Sequence, residues 1–259
     1  MTQQERRYEL IRWLLRESPQ YRDMEIPQST DLQRQLLRGL MNVRPPEPVD
    51  QTFLQVQDAY LKAEIASKGI VDAAELRPLQ PGLCLWQGDI TTLRCDAIVN
   101  AANSGLTGCY LPNHRCIDNA IHTYAGVELR LACAEQIRRQ GHPEPTGCAK
   151  ITPAFNLPCR YILHTVGPII TGPVTNRDCE LLASCYTSCL KLAAEHRLES
   201  VAFCCISTGE FHFPNETAAE IAIATVKAFL SKETSVKQVI FNVFQNTDKA
   251  IYQRQLEAN

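Results

Sequence analysis

From Leu83 onward, short stretches of strand character alternate with longer stretches of helical periodicity, and this order restricts the fold more than any other feature. The predicted strands are Leu83–Gln87, Asp96–Val99, Ala149–Pro153, Tyr161–Thr165, Ser200–Cys205 and Gln238–Asn242. The predicted helices are Asp118–Gln140, with a break at Gly126, Asn176–His196, Asn215–Ser231 and Thr247–Gln255. This alternation predicts an α/β fold, with a mixed or parallel sheet covered by helices on both faces. Ligands usually bind such sheets at the carboxyl ends of the strands.

Residues 1–80 show a different pattern, which indicates amphipathic helices without a catalytic motif. The apolar positions that fall on common helical faces are Leu10, Trp13 and Leu14, then Leu36, Leu37, Leu40 and Met41, then Phe53, Val56, Tyr60 and Leu61. The prolines of Arg44–Pro48 must interrupt the chain between the second and third helices. We therefore expect a helical N-terminal extension, residues 1–80, followed by a second domain, residues 81–259.

Composition excludes few partner classes, but it argues against two of them. The net charge of −2 and the pI near 6.3 provide no basic footprint for nucleic acid. The N-terminus lacks a signal-peptide pattern, and no stretch approaches the ~18–20 apolar residues of a membrane span. We therefore expect a cytoplasmic protein whose 12 cysteines remain thiols, most of them as small core residues.

The loop after the second predicted strand, Val99–Gly108, is rich in asparagine and glycine. Its glycines allow backbone amides to face an anion, and the carboxamide of Asn103 can both donate to and accept from a sugar hydroxyl. An ordinary polar turn would have a similar composition, but two asparagines and two glycines in one loop support a binding role at least as well as a plain turn.

Two further loops after strands carry candidate binding residues. In Gly88–Thr91, the carboxylate of Asp89 could accept hydrogen bonds from an exocyclic amine, although a turn or helix-cap aspartate is the simpler reading. In Ile206–Pro214, hydroxyl and amide donors precede a helix N-terminus, which favours a phosphate. Phe211 in that loop could stack on a ligand or belong to the core.

Cys109, His114 and Cys116 offer two thiolates and one imidazole within eight residues, a set that suits Zn²⁺. Three protein ligands leave a fourth position for water or substrate, as in catalytic zinc sites. A structural zinc would need a fourth protein ligand, for which His122 is the candidate. The missing ligand at motif spacing favours the catalytic reading, with Asp118 nearby to orient water or act as a general base.

Five motifs in order resemble the macrodomain family, and they are Gly88–Thr91, Asp96–Asn103, Thr146–Pro153, His164–Pro168 and Ile206–Gly209. The resemblance covers about residues 80–259 and implies a three-layer α/β/α sandwich with a mixed central sheet. Macrodomains bind ADP-ribose, and some hydrolyse it from proteins. The ADP-ribose-binding residues implied by the resemblance are Asp89, Ile90, Asn103, Ser104, Gly105, Gly108, Ser207, Thr208, Gly209, Glu210 and Phe211. Among these, Asp89 would hold the adenine amine and Asn103 the distal ribose.

The longer loop that contains Cys109, His114 and Cys116 replaces the glycine run of other hydrolytic macrodomains. It looks like the zinc-containing branch of microbial macrodomain ADP-ribosylhydrolases, which also carries a helical segment before the domain. That branch is associated with a sirtuin-type ADP-ribosyltransferase and with a lipoylated carrier related to glycine cleavage system protein H. The resemblance implies a zinc-dependent hydrolase that removes mono-ADP-ribose from protein side chains, with Asn103 and Asp118 as catalytic residues. The alternatives are an ADP-ribose reader with a structural zinc and a hydrolase of O-acetyl-ADP-ribose.

Overall fold

The computed structural model describes residues 1–258 and contains a mixed sheet of seven strands between two layers of helices. The helices are α1 Gln3–Glu17, α2 Thr30–Val43, α3 Gln51–Lys68, α4 Ile117–Ala125, α5 Val127–Gln140, α6 Asn176–Glu195, α7 Asn215–Leu230 and α8 Asn246–Glu257. The strands are β1 Val71–Asp72, β2 Pro78–Gln80, β3 Leu83–Gln87, β4 Leu93–Arg94, β5 Ala97–Ala101, β6 Ala149–Pro153, β7 Tyr161–Thr165, β8 Ser200–Phe203 and β9 Gln238–Val243. The α/β fold and the helical N-terminal region expected from the sequence are confirmed.

The main sheet has the strand order β2-β3-β9-β8-β5-β7-β6, and β1 pairs separately with β4. The five inner strands run parallel to one another, whereas the edge strands β2 and β6 pair antiparallel. Ala97, Ile98 and Val99 of β5 are fully buried, which is the continuous apolar run of a central strand covered on both faces. The sheet is therefore mixed, as predicted.

From two neighbouring parallel strands, β5 and β8, the chain moves across the sheet in opposite directions. After β5 the chain passes through α4 and α5 and reaches β6 and β7 on one side of β5, whereas after β8 it passes through α7 and reaches β9 on the other side. Because parallel crossovers share one hand, these helices cover opposite faces of the sheet. The carboxyl ends of β5 and β8 thus form the switch point where open α/β sheets bind their ligands.

The predicted helix break at Gly126 is confirmed, and packing requires it. Gly126 separates α4 from α5 and has a φ of 101°, a conformation that L side chains rarely adopt. A Cβ atom here would lie 2.7 Å from the side chain of Gln57 and 3.0 Å from that of Asn156. The glycine lets α3 approach the kink between the two helices.

Helices α1, α2 and α3 have an apolar cluster of their own, which includes Leu10, Leu37 and Phe53. The predicted apolar faces of these helices are therefore the buried ones. The cluster reaches the rest of the protein through Val127 of α5. The division of the chain at residue 80 stays a prediction, since β2 precedes that point and pairs with β3 in the main sheet.

Other expectations about the chain concern its thiols and its location. All 12 cysteines are free thiols, and most of them are buried, as expected. Within residues 1–258, none of the helices has both the length and the apolar character that crossing a membrane requires. The cytoplasmic location stays a prediction.

Candidate functional site

Two loops meet at the switch point of the sheet. The first, residues 102–116, follows β5 and ends at α4, and the second, residues 204–214, follows β8 and ends at α7. They lie side by side because β5 and β8 pair in parallel, with Ala97 opposite Val201. The two loops contain most of the residues predicted to bind a ligand, so the fold brings these sequence-distant groups together.

Asn103 organises the first loop through its side chain. Its Nδ2 donates to the carbonyl oxygen of Gly108 at 3.0 Å and approaches Asp118 Oδ2 at 3.4 Å. Its Oδ1 accepts from the amide of Gly105 at 3.0 Å, which leaves one lone pair for a ligand hydroxyl. Ser104 is exposed, and its carbonyl oxygen accepts from the amide of Glu144. Asn103 therefore shapes the loop and keeps capacity to hold a sugar.

Gly108 is required by a close approach to helix α4. Its φ is 82°, and a Cβ atom would lie 2.7 Å from Cγ of His122. His122 in turn lies with Nε2 3.5 Å from Asp118 Oδ1. Burial lowers the pKa of His122 well below its ordinary value, so the ring is neutral and the pair is not a charged salt bridge.

Asp118 is a buried carboxylate at the start of α4, next to the first loop. Asn100 on β5 donates from Nδ2 to Asp118 Oδ1 at 2.8 Å. Burial raises the pKa of Asp118 to about 6, while the hydrogen bond from Asn100 and the charge of Arg130 act in the opposite direction. The site thus holds an oriented carboxylate beside Asn103.

Asn100 was not among the predicted site residues, although it lies in the recognised asparagine-rich motif. It is fully buried, and its Nδ2 also lies 3.2 Å from Nδ1 of His164. Nε2 of His164 lies 2.9 Å from the hydroxyl oxygen of Thr152. His164 is therefore a hydrogen-bonded core histidine, and Asn100 connects it to Asp118.

Cys109, His114 and Cys116 form a group that can hold a metal ion, with ligand atoms all within 4.8 Å of one another. Cys109 Sγ and His114 Nδ1 are 3.5 Å apart. A tetrahedral Zn²⁺ with Zn–S near 2.3 Å and Zn–N near 2.0–2.1 Å separates such ligands by about 3.6 Å, so the donor set and its spacing fit this ion. Among the described residues, His122 does not join this group, because it lies in the core near Cys133 and His164.

Cys116 has a second role as the N-cap of α4, where its Sγ accepts from the amide of Asn119 at 3.4 Å. Burial raises the pKa of the Cys116 thiol to about 12, the amide of Asn119 lowers it, and Cys109 and Asp118 raise it further. The thiol is therefore protonated at neutral pH, and a bound cation is what would convert it to a thiolate. The sulfur is fixed by the helix start, so its position does not depend on a metal.

The second loop contains several amides that are free to bind an anion. Across residues 1–258, the backbone N–H groups of Gly209, Glu210 and Phe211 donate no hydrogen bond to the chain. Ser207 has a φ of 65°, and its buried hydroxyl oxygen lacks a hydrogen-bond partner among the described residues. Thr208 donates its hydroxyl to the carbonyl oxygen of Cys205. These orphaned polar groups are consistent with a predicted phosphate cradle.

The two loops touch each other at the mouth of the site. Glu210 Oε1 of the second loop lies 3.4 Å from Nε2 of His114 in the first. Phe211 is half-buried, and its carbonyl oxygen accepts from the amide of Ile170. Within residues 1–258, six non-glycine residues have positive φ, and four of them, Leu106, Asn113, Ser207 and His212, lie in these loops. Backbone strain of this kind concentrates at functional sites.

Asp89 lies apart from the loops, beside the helical extension. Its Oδ1 accepts from the amide and hydroxyl of Thr91, and its Oδ2 accepts from Nζ of Lys68 at 2.8 Å. Burial pushes the pKa of Asp89 up, but the hydrogen bonds from Lys68 and Thr91 outweigh it and leave the pKa below its ordinary value. Ile90 is buried in the core, so only its backbone can face a ligand.

Phe244 is an exposed aromatic residue that the sequence patterns did not indicate. It directly follows β9, and 76% of its surface is exposed. Its carbonyl oxygen accepts from Gln87 Nε2, and the amide of Gly88 donates to Val243, so Phe244 lies at the same sheet edge as Asp89. The sequence could have indicated Phe244 only through its position after β9, the strand that pairs with β3. To use that position, the order of the strands in the sheet must already be known.

Comparison with known proteins gives a consistent assignment. Residues 99–222 match the Macro domain family. A protein-ADP-ribose hydrolase of Treponema medium is 58% identical over 258 residues, which cover 98% of this chain and 99% of that protein. A protein-ADP-ribose hydrolase of Staphylococcus aureus is 53% identical over 229 residues, or 88% of this chain and 86% of that protein.

A solved structure supports the same assignment at the level of the fold. The crystal structure of a Trypanosoma brucei macrodomain in complex with ADP-ribose is 30% identical, with a TM-score of 0.65, and the match covers 85% of this chain and 94% of that one. The sheet, the switch-point loops and these relatives all point to one family, and the chain belongs to the macrodomains.

Proposed function

We propose that this chain is a zinc-dependent hydrolase that removes mono-ADP-ribose from protein side chains. The observation that carries the proposal is the three-ligand group of Cys109, His114 and Cys116, whose last member caps the helix that carries the oriented carboxylate of Asp118 in its first turn. The relatives in Treponema medium and Staphylococcus aureus, both named protein-ADP-ribose hydrolase, support the reaction. The absence of His122 from the ligand group, among the described residues, supports a catalytic metal over a structural one.

The two loops supply the binding groups for ADP-ribose. The free amides of Gly209, Glu210 and Phe211 are suited to the diphosphate, because uncommitted N–H groups bind anions well. Asn103 keeps a lone pair for a hydroxyl of the distal ribose. At the other end, Asp89 has carboxylate lone pairs left for an adenine amine, and Phe244 offers a flat face for the base.

The chemistry is the transfer of the distal ribose from the acceptor side chain to water. A bound Zn²⁺ supplies Lewis acidity, which polarises a hydroxyl or water and lowers its pKa. Asp118, held by Asn100 and close to Asn103, is placed to orient the attacking water and to take its proton. The water oxygen bonds to C1″ of the ribose, the bond from C1″ to the acceptor atom breaks, and the acceptor leaves with its electron pair. The buried asparagine keeps Asp118 in one orientation throughout.

The test replaces Cys116 with alanine and measures three quantities on the purified full chain. These are zinc content, release of ADP-ribose from a mono-ADP-ribosylated protein, and affinity for free ADP-ribose. Cys116→Ala should lose zinc and hydrolysis and keep most of its ADP-ribose affinity. Cys148→Ala is the matched control, because this thiol is exposed and outside the ligand group. Hydrolysis at the wild-type rate without bound metal would show that the zinc assignment is wrong.

Two other readings of the site predict different outcomes. A reader with a structural zinc would bind ADP-ribose and release none from the modified protein. A hydrolase of O-acetyl-ADP-ribose would act on that small molecule and leave the modified protein intact. The lipoylated carrier related to glycine cleavage system protein H and the sirtuin-type ADP-ribosyltransferase are proposed partners. Release of ADP-ribose from the carrier, after such a transferase has modified it, would support that pairing.

A further inference from the structure

Helix α2 of the N-terminal extension packs directly on the segment that carries the three candidate ligands, residues 109–116, which is called the metal loop below. Gly39 of α2 marks the closest approach, because a Cβ atom there would lie 3.2 Å from Asn113 Nδ2 and 3.7 Å from Pro112 Cβ. Arg38, directly before Gly39, and Asn42, three residues after it, hydrogen-bond to groups on either side of this contact.

The metal loop does little to hold itself in place. The one backbone–backbone hydrogen bond within residues 109–116 of the described chain runs from the amide of His114 to the carbonyl oxygen of Leu111. Asn113 has a φ of 57°, which surrounding structure must stabilise. The geometry of the ligands therefore depends on groups outside the loop.

Arg38 connects to the metal loop directly at His114 and indirectly through Asn119 of α4. Its Nη2 donates to the carbonyl oxygen of His114 at 3.0 Å, and its Nε and Nη2 both donate to Oδ1 of Asn119 at 3.1 and 2.8 Å. Asn119 is fully buried, its Nδ2 donates to the carbonyl oxygen of Leu111 at 3.1 Å, and its amide donates to Cys116 Sγ. The Asn119 side chain also donates from Nδ2 to the carbonyl oxygen of Cys109 at 3.5 Å. One guanidinium thus fixes the backbone of His114 and the side chain that holds the backbone of Cys109.

Asn42 holds the other side of the loop. Its Oδ1 accepts from the amide of Asn113 at 3.0 Å, and its Nδ2 donates to the hydroxyl oxygen of Thr123 at 3.0 Å. Arg130 of α5 donates to the carbonyl oxygen of Asn42 at 2.6 Å and lies 4.2 Å from the ring centroid of Tyr110 in the metal loop. Asn42 is only 1% exposed, so its amide has no competing solvent contact.

We propose that Arg38 and Asn42 are positioning residues of the metal site, so that the helical extension completes a ligand set which the macrodomain alone would leave loose. This inference rests on the proposed zinc-dependent function. Groups that orient metal ligands without touching the metal commonly change metal affinity or activity by about 10- to 100-fold when removed. Arg38 qualifies because it bonds to the backbone of His114 itself and to the side chain of Asn119, which in turn donates to the backbone of Cys109.

The experiment compares Arg38→Ala with Arg34→Ala in the full chain. Arg34 is one turn earlier on the same helix and contacts Asp31 and Glu64 instead of the metal loop. Zinc affinity is measured by competition with a chromophoric chelator, and the thermal unfolding of the metal-free protein is measured in parallel. We expect Arg38→Ala to bind zinc about 10- to 100-fold more weakly, while Arg34→Ala retains wild-type affinity. The metal-free Arg38→Ala protein should still unfold cooperatively, at a lower temperature than the wild type, because the buried Asn119 Oδ1 loses its donor.

Arg38→Lys separates the charge from the geometry, because lysine keeps the positive charge and lacks the planar fork that reaches both acceptors. It should bind zinc more weakly than the wild type and more tightly than Arg38→Ala, and it replaces the alanine variant if that one does not fold. Equal zinc affinity in the Arg38 and Arg34 variants would overturn the positioning role of Arg38 and leave the proposed zinc-dependent function intact. A wild-type chain that takes up no zinc would overturn the metal part of the proposed function and the inference with it.

Discussion

Replacement of Gly108 by alanine tests whether the first loop must lie against helix α4. At this position φ is 82°, and the new Cβ would lie 2.7, 2.9 and 3.0 Å from Cγ, Cδ2 and Nδ1 of His122. His122 cannot move aside easily, since it is 4% exposed and packs near His164, with ring centroids 6.1 Å apart. The loop must therefore move away from α4 or the core must deform.

The expected loss of stability is the sum of two costs. A left-handed backbone costs alanine about 1–2 kcal/mol relative to glycine, and overpacking of a well-filled core costs about 1–3 kcal/mol. Gly108→Ala should therefore lower the free energy of unfolding by about 2–5 kcal/mol. The shift also takes the carbonyl oxygen of Gly108 away from Asn103 Nδ2, now 3.0 Å distant, so affinity for ADP-ribose should fall as well.

Urea unfolding and calorimetric titration with ADP-ribose measure these two effects. Gly141→Ala is the matched control, because Gly141 also has a positive φ, 80°, and a Cβ atom there would meet nothing within 4 Å. It should show only the backbone cost and bind ADP-ribose normally. If both variants lose the same stability and both bind as the wild type does, the close packing of Gly108 on His122 contributes nothing and the reasoning fails.

Three further predictions concern single side chains. Asn100→Ala leaves Asp118 Oδ1 and His164 Nδ1 without their donor, so urea unfolding should show a loss of about 1–3 kcal/mol for each group. Hydrolysis should fall more than ADP-ribose affinity. Unchanged stability would contradict the hydrogen-bond network. Burial lowers the pKa of His164 from 6.5 to about 3, so the unfolded chain binds the extra proton between these values and stability falls as pH decreases through that window. Between pH 7 and 5 this amounts to about 2 kcal/mol, which should be missing from the pH dependence of His164→Gln. Phe244→Ala should weaken ADP-ribose binding, measured by calorimetry, by about 1–3 kcal/mol. The variant should lose no stability, because the ring is exposed. Binding equal to that of the wild type would show that Phe244 is not part of the site.

Much of the fold was predictable because its signals are local. The break at Gly126 follows from the poor helix propensity of glycine, and the central strands follow from runs of apolar residues such as Ala97–Val99. The short strands β1, β2 and β4 were not predicted, because two or three residues show no periodicity. Strand β8 ends at Phe203, two residues earlier than expected, because a buried apolar run continues past the end of the hydrogen-bonded ladder.

The site was predictable in its residue types and only partly in its contacts. Asn103, Cys109, His114 and Cys116 are recognisable from chemistry and spacing within one loop, and the structure brings the three candidate metal ligands together. The partners of these residues come from distant segments. Lys68 reaches Asp89 across 21 residues, and no local pattern marks a lysine at the end of an amphipathic helix as part of a binding site.

By itself, the sequence determined the order of strands and helices, the loops that carry polar groups and the residue types of the candidate metal site. These properties depend on neighbouring residues, whose periodicity and side-chain type can be read directly. Only the tertiary structure decided that β5 lies beside β8, that Asn100 orients Asp118, and that Arg38 reaches Asn119 across 81 residues. Such contacts arise from the packing of whole elements, and packing depends on the shape of the complete core.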